Sequence, residues 1–369
     1  MTVRFTGRIV TPSGVVEGHV EVDGPVIAAV RSDATVRDGH WIVPGFVDMH
    51  THGGGGHTFT TGDAESARSA AAFHLAHGTT TLLASLVSSP YGLMAAATAA
   101  FAPLVADGVL AGLHYEGPYL STARCGAQNP AFLRDPSADE LTSLLELGGG
   151  TVRMMTIAPE RPGALDAIKL LVAHGVVAAV GHTDATHAQT LAAIDAGATV
   201  GTHVFNGMRP PHHREPGPVL ALLAATGVVC ELIADGVHLH DGTLAFAATV
   251  TGPDRAALIT DAMAAAGMPD GAYELGGQAV VVADRVARLA RDGSIAGSTL
   301  TMDAALRQAV HAGMSIVDAC RMAATTPARA IGAADRVGAV SPGLRADLVE
   351  LDEALRVVRV MRAGTVQPA

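Results

Sequence analysis

From residue 41 to 263 the chain alternates short, unbroken apolar runs with longer Ala-rich stretches. There are eight such runs: WIVPGFVDMH, TTTLLASLV, GLHYEG, VRMMTIAP, VVAAVGH, GATVGTHVFN, GVVCELIADG and AALITDAM. Runs that are apolar at successive positions, not at every second one, suit strands covered on both faces, as in a parallel sheet. The stretches between them read as helices. Eight strands alternating with helices predict an α/β fold, a closed (β/α)8 TIM-like barrel of ~250 residues.

The two ends of the chain follow a different period. Residues 1–42 hold alternating runs, RFTGRIVT, HVEVDG and PVIAAVR, separated by glycine turns, a pattern of antiparallel sheet. The stretch ADLVELDEALRVVRVMRAGTV near the other end has the same character. Because the termini of a domain commonly lie close together, the simplest arrangement joins them in one small β-sandwich domain. That domain takes residues 1–42 and 336–369, and the barrel takes 43–335. Residues 271–297 are expected as β-hairpins inserted after the last barrel strand.

Bulk properties narrow the function classes. With 369 residues, 49% hydrophobic and 16% charged, the chain reads as a globular enzyme and not as a disordered or fibrous protein. A formal charge of −11 disfavours nucleic acid or an anionic membrane as partner, since both are bound by basic surface. A small anionic substrate stays open, provided Arg and His gather locally. Three widely spaced cysteines argue against a disulfide framework. No run approaches the ~20 apolar residues of a membrane helix, and MTVRFTGRIV lacks a signal core, so a cytoplasmic protein is expected.

The barrel expectation changes the meaning of polar residues at the strand ends. Active sites of such barrels are built at the C-terminal ends of the strands. His50 and His52, Glu116, His182, His203 and Asp261 all fall there. His50 and His52 are two apart, so on a strand both side chains leave the same face. Asp48 shares that parity but lies deeper, as a hydrogen-bonding support. A lone core histidine is satisfied by hydrogen bonds, whereas four at strand ends, with two carboxylates, read as donors for a cation. Neutral imidazole and carboxylate suit Zn2+ or Fe2+, and an open position would admit a water whose pKa falls towards ~7. Glu116 therefore reads as a metal ligand. Asp261 is placed as the base that takes the water's proton and hands it to a leaving amine. Its other readings are a further metal ligand, which is compatible, and an N-cap of the AMAAAG segment.

The motifs PGFVDMHTHGGGG, HYEGPYL, GHTDAT, GTHVFNGMRP, REPG, LIADGVHL, TDAM and AGSTLTMDAA run in order through most of the chain. Together they resemble the amidohydrolase superfamily, and within it the deacetylases of N-acetylglucosamine 6-phosphate. The resemblance implies hydrolysis of that phosphosugar to glucosamine 6-phosphate and acetate. It implies Glu116, His182 and His203 around the principal divalent metal, with Asp261 as acid and base. Because His50 and His52 are kept, a second metal with Glu116 bridging is also implied, giving one or two ions per subunit. Zn2+ is expected first, with Fe2+, Mn2+, Co2+ or Cd2+ as alternatives.

The same resemblance points to Asn206, Gly207, Arg214 and His238 for the substrate, with His238 also stabilising the carbonyl oxygen. An Arg can grip a phosphate through paired charge-assisted hydrogen bonds. In the family that Arg lies near a dimer interface, so Arg214 would serve the neighbouring subunit of a homodimer. Read alone, Arg214 has the alternative of a surface ion pair and Asn206 that of a turn cap. His212 and His213 read as solvated loop residues, His57 as part of a mobile loop past four glycines, and His74, His77, His174 and His187 as helix residues without a site role. STARCGAQNP departs from the family pattern at Cys125, where a basic residue is frequent; the thiol either faces the site or fills a small buried space. AGSTLTMDAA reads as a turn entering a helix, placed by the family at the substrate's N-acetyl end. Two other functions stay open: a cyclic amidase or deaminase of the same superfamily, and a non-catalytic barrel. REPG and FNGM suit a phosphosugar better than the first, and the filled donor positions argue against the second.

Overall fold

The computed structural model describes residues 3–36 and 39–367; residues 1–2, 37–38 and 368–369 of the expected terminal β segments lie outside them. The chain begins with an antiparallel meander of β1 (Val3–Thr11), β2 (Gly14–Asp23) and β3 (Val26–Ser32). β4 (Trp41–Pro44) lies parallel to β1. The barrel strands are β5 (Phe46–Thr51), then, after the short ribbon of β6 (Gly53–Gly54) and β7 (His57–Thr58), β8 (Thr79–Val87), β9 (Gly112–Glu116), β10 (Val152–Ile157), β11 (Val177–Val180), β12 (Val200–Gly201), β13 (Val229–Ile233) and β14 (Ala256–Ile259). Each ladder between neighbours is parallel. This is the (β/α)8 barrel, with the terminal segments in a separate sheet.

Helices fill the gaps, among them α1 (Ala64–Ala76), α2 (Tyr91–Ala106), α3 (Ala138–Gly148), α4 (Ala164–Ala173), α5 (His187–Asp195), α6 (Gly217–Ala224), α7 (Asp241–Thr251) and α8 (Met302–His311). Their starts follow local chemistry. Asp63, Ser137 and Thr186 each accept the amide three residues on, and Gln189 completes a capping box with Thr186. Every residue of β5, β8, β9, β13 and β14 is buried, as continuous apolar runs required.

All eight expected barrel strands are present, but the first run is two strands. Trp41–Pro44 pairs with the terminal sheet and Phe46–Thr51 enters the barrel. The break is Gly45, where a Cβ would lie 2.3 Å from Thr80 Oγ1, so only glycine lets the strand pass this close. The seam between β14 and β5 closes just beyond their ladders. Thr260 Oγ1 donates to Asp48 Oδ2 (2.6 Å), Asp261 N to His50 O (2.9 Å) and His52 N to Ala262 O (2.7 Å). Asp48 is thus the buried support expected of it, and burial pushes its carboxyl up to about 7.

After β14 comes a meander of β15 (Gly271–Leu275), β16 (Gln278–Ala283) and β17 (Val286–Leu289), the expected hairpin insert, packed through Leu275, Val280 and Leu289 on Val87 and Met263. β18 (Leu348–Leu351), β19 (Val357–Arg362) and β20 (Thr365–Val366) then complete a seven-stranded sheet in the order β20-β19-β18-β4-β1-β2-β3. That sheet curls back on itself: Ile27 N donates to Leu344 O and Ala346 N to Pro25 O, beside the start of β18. Phe5, Ile9, Val20, Ile42, Leu348 and Met361 fill the space it encloses.

Candidate metal centre

Glu116 is the last residue of β9, while His182, His203 and Asp261 each lie two residues past the ends of β11, β12 and β14. These last three share an uncommon backbone: φ is +45° at His182, +27° at His203 and +49° at Asp261. A non-glycine residue in this region costs of order 1–3 kcal/mol and persists only when its surroundings hold it. Here the left-handed turn folds each side chain back over the barrel mouth. His50 and His52 come from the end of β5 and its exit, two positions apart as the strand period required.

The six side chains converge. His182 Nε2 and His203 Nε2 lie 2.9 and 3.0 Å from Glu116 Oε1, and 3.1 Å from each other. His52 Nε2 is 3.2 Å from both Glu116 Oε2 and Asp261 Oδ1. His50 Nε2 is 3.5 Å from Glu116 Oε1 and 3.6 Å from Asp261 Oδ1. Two buried donor groups result, Glu116–His182–His203 and His50–His52–Asp261, each with ligand atoms within 4.8 Å of one another. Glu116 reaches both.

The far side of each imidazole decides what the near side can do. Every Nδ1 has an acceptor: Arg124 O for His182 (2.9 Å), Asn206 O for His203 (3.2 Å), Ser85 O for His52 (3.1 Å) and Glu231 Oε2 for His50 (3.0 Å). Nδ1 therefore carries the proton in the neutral ring, and Nε2 presents a lone pair to the centre. Four lone pairs and two carboxylates facing one small space cannot satisfy each other by hydrogen bonds. A divalent cation fits this donor set. Without one, protons take its place. Burial alone would lower the His52 pKa, but Asp261 and Glu116 push it up to about 9; against the same burial His50 is raised by Glu231 first and then Glu116, and His182 by Glu116. Glu116, which burial would raise, is held well below its ordinary value by His182 and His50. Cation binding must displace those protons.

Above the centre is a cavity of about 320 Å³, lined by His52, Glu116, His182, His203, Asn206, Gly207, His238 and Asp261 together with Gly126–Gln128, Leu275, Ser294, Ile295 and Gly297. Gly207 has φ +59°, and a Cβ there would sit 2.9 Å from His182 Nδ1, so the loop closes over that ring only as glycine. His238 Nδ1 lies 2.7 Å from Asp235 Oδ2, which leaves Nε2 free of that pair. Burial works against charging His238, yet Asp235 raises its pKa. The hairpin insert roofs the cavity and pins its rim: Gln278 Nε2 donates to Ala127 O (2.5 Å) and Arg291 Nη2 to Gly126 O (3.2 Å).

Of the residues singled out in the sequence, His50 lies beneath the cavity as part of the donor set, and Arg214 stands apart. Arg214 is exposed, contacts His213 Nε2 (2.8 Å) and does not line this chain's cavity. Cys125 is half-buried on the rim loop and is not among the lining residues, so neither reading of it holds fully. The segment after Asp261 forms turns and no helix, which removes the N-cap reading. His57 is exposed but held in the β6–β7 ribbon, not in a free loop. Met302–His311 supplies the helix expected after AGSTLT.

Sequence reasoning missed the supports. Glu231 is fully buried, bonds His50 and accepts the His203 amide (3.1 Å). Its signal was present: one carboxylate inside the otherwise apolar run GVVCELIA. Gln128 donates to Glu116 Oε2 (2.5 Å) and accepts the Ser88 amide (2.7 Å), fixing the carboxylate that both donor groups share. His114 forms the floor, its ring 4.5 Å from that of His50 and its nitrogens bonded to Ser85 and Thr156.

Barrel, mouth and donor set together define a class, a (β/α)8 hydrolase that uses a divalent metal. The chain belongs to the amidohydrolase family, whose pattern matches residues 41–366. It is 35% identical over 356 residues to the N-acetylglucosamine-6-phosphate deacetylase of Lysinibacillus sphaericus, covering 95% of this chain and 92% of that protein. It is 38% identical over 367 residues to the N-acetylgalactosamine-6-phosphate deacetylase of Escherichia coli O157:H7, covering 97% of each. A mutant N-acetyl-D-glucosamine-6-phosphate deacetylase from Mycobacterium smegmatis, solved in complex with N-acetyl-D-glucosamine-6-phosphate, has a similar structure. The TM-score is 0.96 at 46% identity, over 99% of both chains.

Proposed function

We propose that this chain hydrolyses the N-acetyl group of N-acetylglucosamine 6-phosphate, giving glucosamine 6-phosphate and acetate. The observation that carries the reading is the cavity itself. It gathers both donor groups with Asp261 and His238 under one roof, in a chain whose relatives deacetylate amino-sugar phosphates. Those relatives favour this substrate over a cyclic amide or a nucleobase-like ring. The 38% identical galactosamine relative supports a second reading, the C4 epimer.

In this mechanism Glu116, His182 and His203 would hold the principal divalent cation, taken to be zinc, and His50, His52 and Asp261 a second, with Glu116 within reach of both groups. A bound cation would supply Lewis acidity toward the amide carbonyl and lower the pKa of a water towards neutrality. Asp261 takes one proton of the attacking water at its carboxylate and returns it to the nitrogen as the C–N bond breaks, so that acetic acid and a neutral amine form and the acid gives its remaining proton to solvent as acetate. His238, whose pKa Asp235 raises, donates from Nε2 in its protonated form to the carbonyl oxygen as negative charge develops there. Asn206 and the Gly207 backbone position the sugar. Arg214 is too exposed to act on its own cavity and is assigned to the phosphate in the neighbouring subunit's site, which makes the working form a homodimer.

Residues 1–42 and 336–369 are taken as one β domain appended to the barrel of 43–335. Among the described residues no helix is long and apolar enough to cross a membrane. A charged phosphosugar substrate and three free thiols support a cytoplasmic site of action.

The test is acetate release by metal-stripped protein before and after single divalent metals are restored, on N-acetylglucosamine 6-phosphate, its galacto epimer and the unphosphorylated sugars. Metal-dependent turnover confined to a phosphorylated sugar is the expected result, and the preferred epimer names the substrate. Metal-loaded protein inert toward all four sugars would overturn the reading.

A further inference from the structure

A second cavity, of about 170 Å³, lies at the opposite end of the barrel, among the starts of β8, β9 and β10, and against the terminal sheet. Four arginines line it: Arg153, Arg336, Arg345 and Arg362. No carboxylate is among its lining residues. In a chain with a formal charge of −11 this concentration of guanidinium is unexpected.

Part of the cluster has a structural purpose. Arg345 pairs with Asp347 and donates to Thr81 Oγ1 (2.9 Å), and Arg362 donates to the carbonyls of Gly108 and Val109. These bonds fasten the terminal sheet to the barrel. They do not account for the other two. Among the described residues the Arg153 guanidinium has no hydrogen-bond or ion-pair partner, although the residue is half-buried. The exposed Arg336 guanidinium has only its exposed neighbour Asp335, at 3.7 Å, while the Arg336 carbonyl accepts the Arg345 amide. Nearby Asp107 is committed to Arg68 (3.1 Å), and Asp347 also accepts the Ala363 amide (2.8 Å). Burial, with the Arg345 charge beside it, holds the Arg362 pKa below its ordinary value, and Asp347 opposes both.

We propose that this cavity is a binding site for a phosphate-type dianion, free or carried as a phosphate monoester, separate from the metal centre. Planar guanidinium forks match the oxygens of such a ligand two at a time, each pair charge-assisted, in a pocket that opens to solvent on the side of the exposed Arg336. Bound there, the anion would tie β10 and the Arg336 segment to the terminal sheet across a junction that otherwise relies on Arg345 and Arg362. Its effect is then on stability and not on the chemistry at the far mouth of the barrel.

The experiment compares the metal-loaded wild-type protein with the double variant Arg153→Gln/Arg336→Gln, neither residue having a role in turnover. Thermal midpoints are followed while inorganic phosphate, glucose 6-phosphate or sodium chloride at matched ionic strength is added, with acetate release measured alongside. The expected result is a saturable rise with phosphate or the monoester, absent with chloride and lost in the double variant, whose acetate release stays within about twofold of wild type. The lower half-saturating concentration tells the free anion from the ester. The pair Arg153→Lys/Arg336→Lys keeps the charge and should retain a reduced rise. An equal rise in wild type and the Gln variant, or no saturable rise in either, would overturn the proposal.

Discussion

Replacing Glu231 by Gln tests how the two donor groups divide the work. Glu231 Oε2 accepts from His50 Nδ1 at 3.0 Å and from the His203 amide at 3.1 Å, in a fully buried position. The amide keeps the shape and the acceptor but removes the charge. A hydrogen bond to a charged partner contributes about 1.5–3 kcal/mol and a neutral one about 0.5–1.5, so His50 loses roughly 1.4 kcal/mol of support for binding a cation. That is about tenfold in affinity, at the low end of what outer supports of metal ligands contribute. Among the described residues His182 and Glu116 make no hydrogen bond or ion pair with Glu231, and His203 is hydrogen-bonded to it only through its backbone amide. The loss should therefore fall on the His50–His52–Asp261 group alone. Competition with a chromophoric chelator resolves the two sites: one dissociation constant should weaken about tenfold and the other change by less than about threefold. Because Glu231 Oε1 has no partner among the described residues, the new N–H groups are buried without an acceptor. The thermal midpoint should also fall, which the chelator assay separates from affinity. Equal weakening at both sites, or at neither, would refute the division.

Asp261→Asn should keep a bound cation, measured by elemental analysis, while acetate release falls at least ~10²-fold, the usual scale for a lost acid–base group; an active variant would remove Asp261 from that role. Arg214→Ala should raise KM for the phosphorylated sugar far more than it lowers kcat. Mixing it with inactive Asp261→Asn protein should restore activity through hybrid dimers that hold one intact site, and mixtures that stay inactive would place Arg214 elsewhere. Asp303, at the start of α8, is held down to about 2: burial opposes this, but the nearby polar groups of His77 (3.4 Å), Thr301 and Arg307 (2.7 Å) prevail. A carboxyl depressed that far contributes stability that is complete above its unfolded value of 3.8 and is lost as pH falls towards 2. Asp303→Asn should therefore cost about 2 kcal/mol in urea unfolding at pH 7, with the gap narrowing below pH 4. A gap that is constant with pH would refute it.

Much of this was legible because burial and chemistry left opposite marks on the same strands. Runs such as TTTLLASLV are apolar throughout because both faces are covered, and the polar residues that end them had to serve the mouth of the barrel. What stayed hidden depended on approach between distant segments. WIVPGFVDMH looked like one strand because nothing local announces that Gly45 must clear Thr80. The left-handed turns at His182, His203 and Asp261 carry no glycine to betray them; the surrounding structure imposes them. Gln128 sits in a loop with no periodicity, and its bond to Glu116 exists only after the rim has folded over the site. Arg214 was readable as a residue type but not as a position.

The strand pair on either side of Gly45 also governs how the chain can be made. β4 pairs with β1 on one edge, and its other edge waits for β18, which is synthesised after all the barrel strands. While the barrel strands leave the ribosome in order, the amino-terminal sheet stays open along β4, an edge with unpaired N–H and C=O groups. Chains that stop short of β18 keep that edge for their whole lifetime and can pair it with another copy. Productive folding thus includes a long-range closure, in which β18 seals β4 only after the barrel between them has been made.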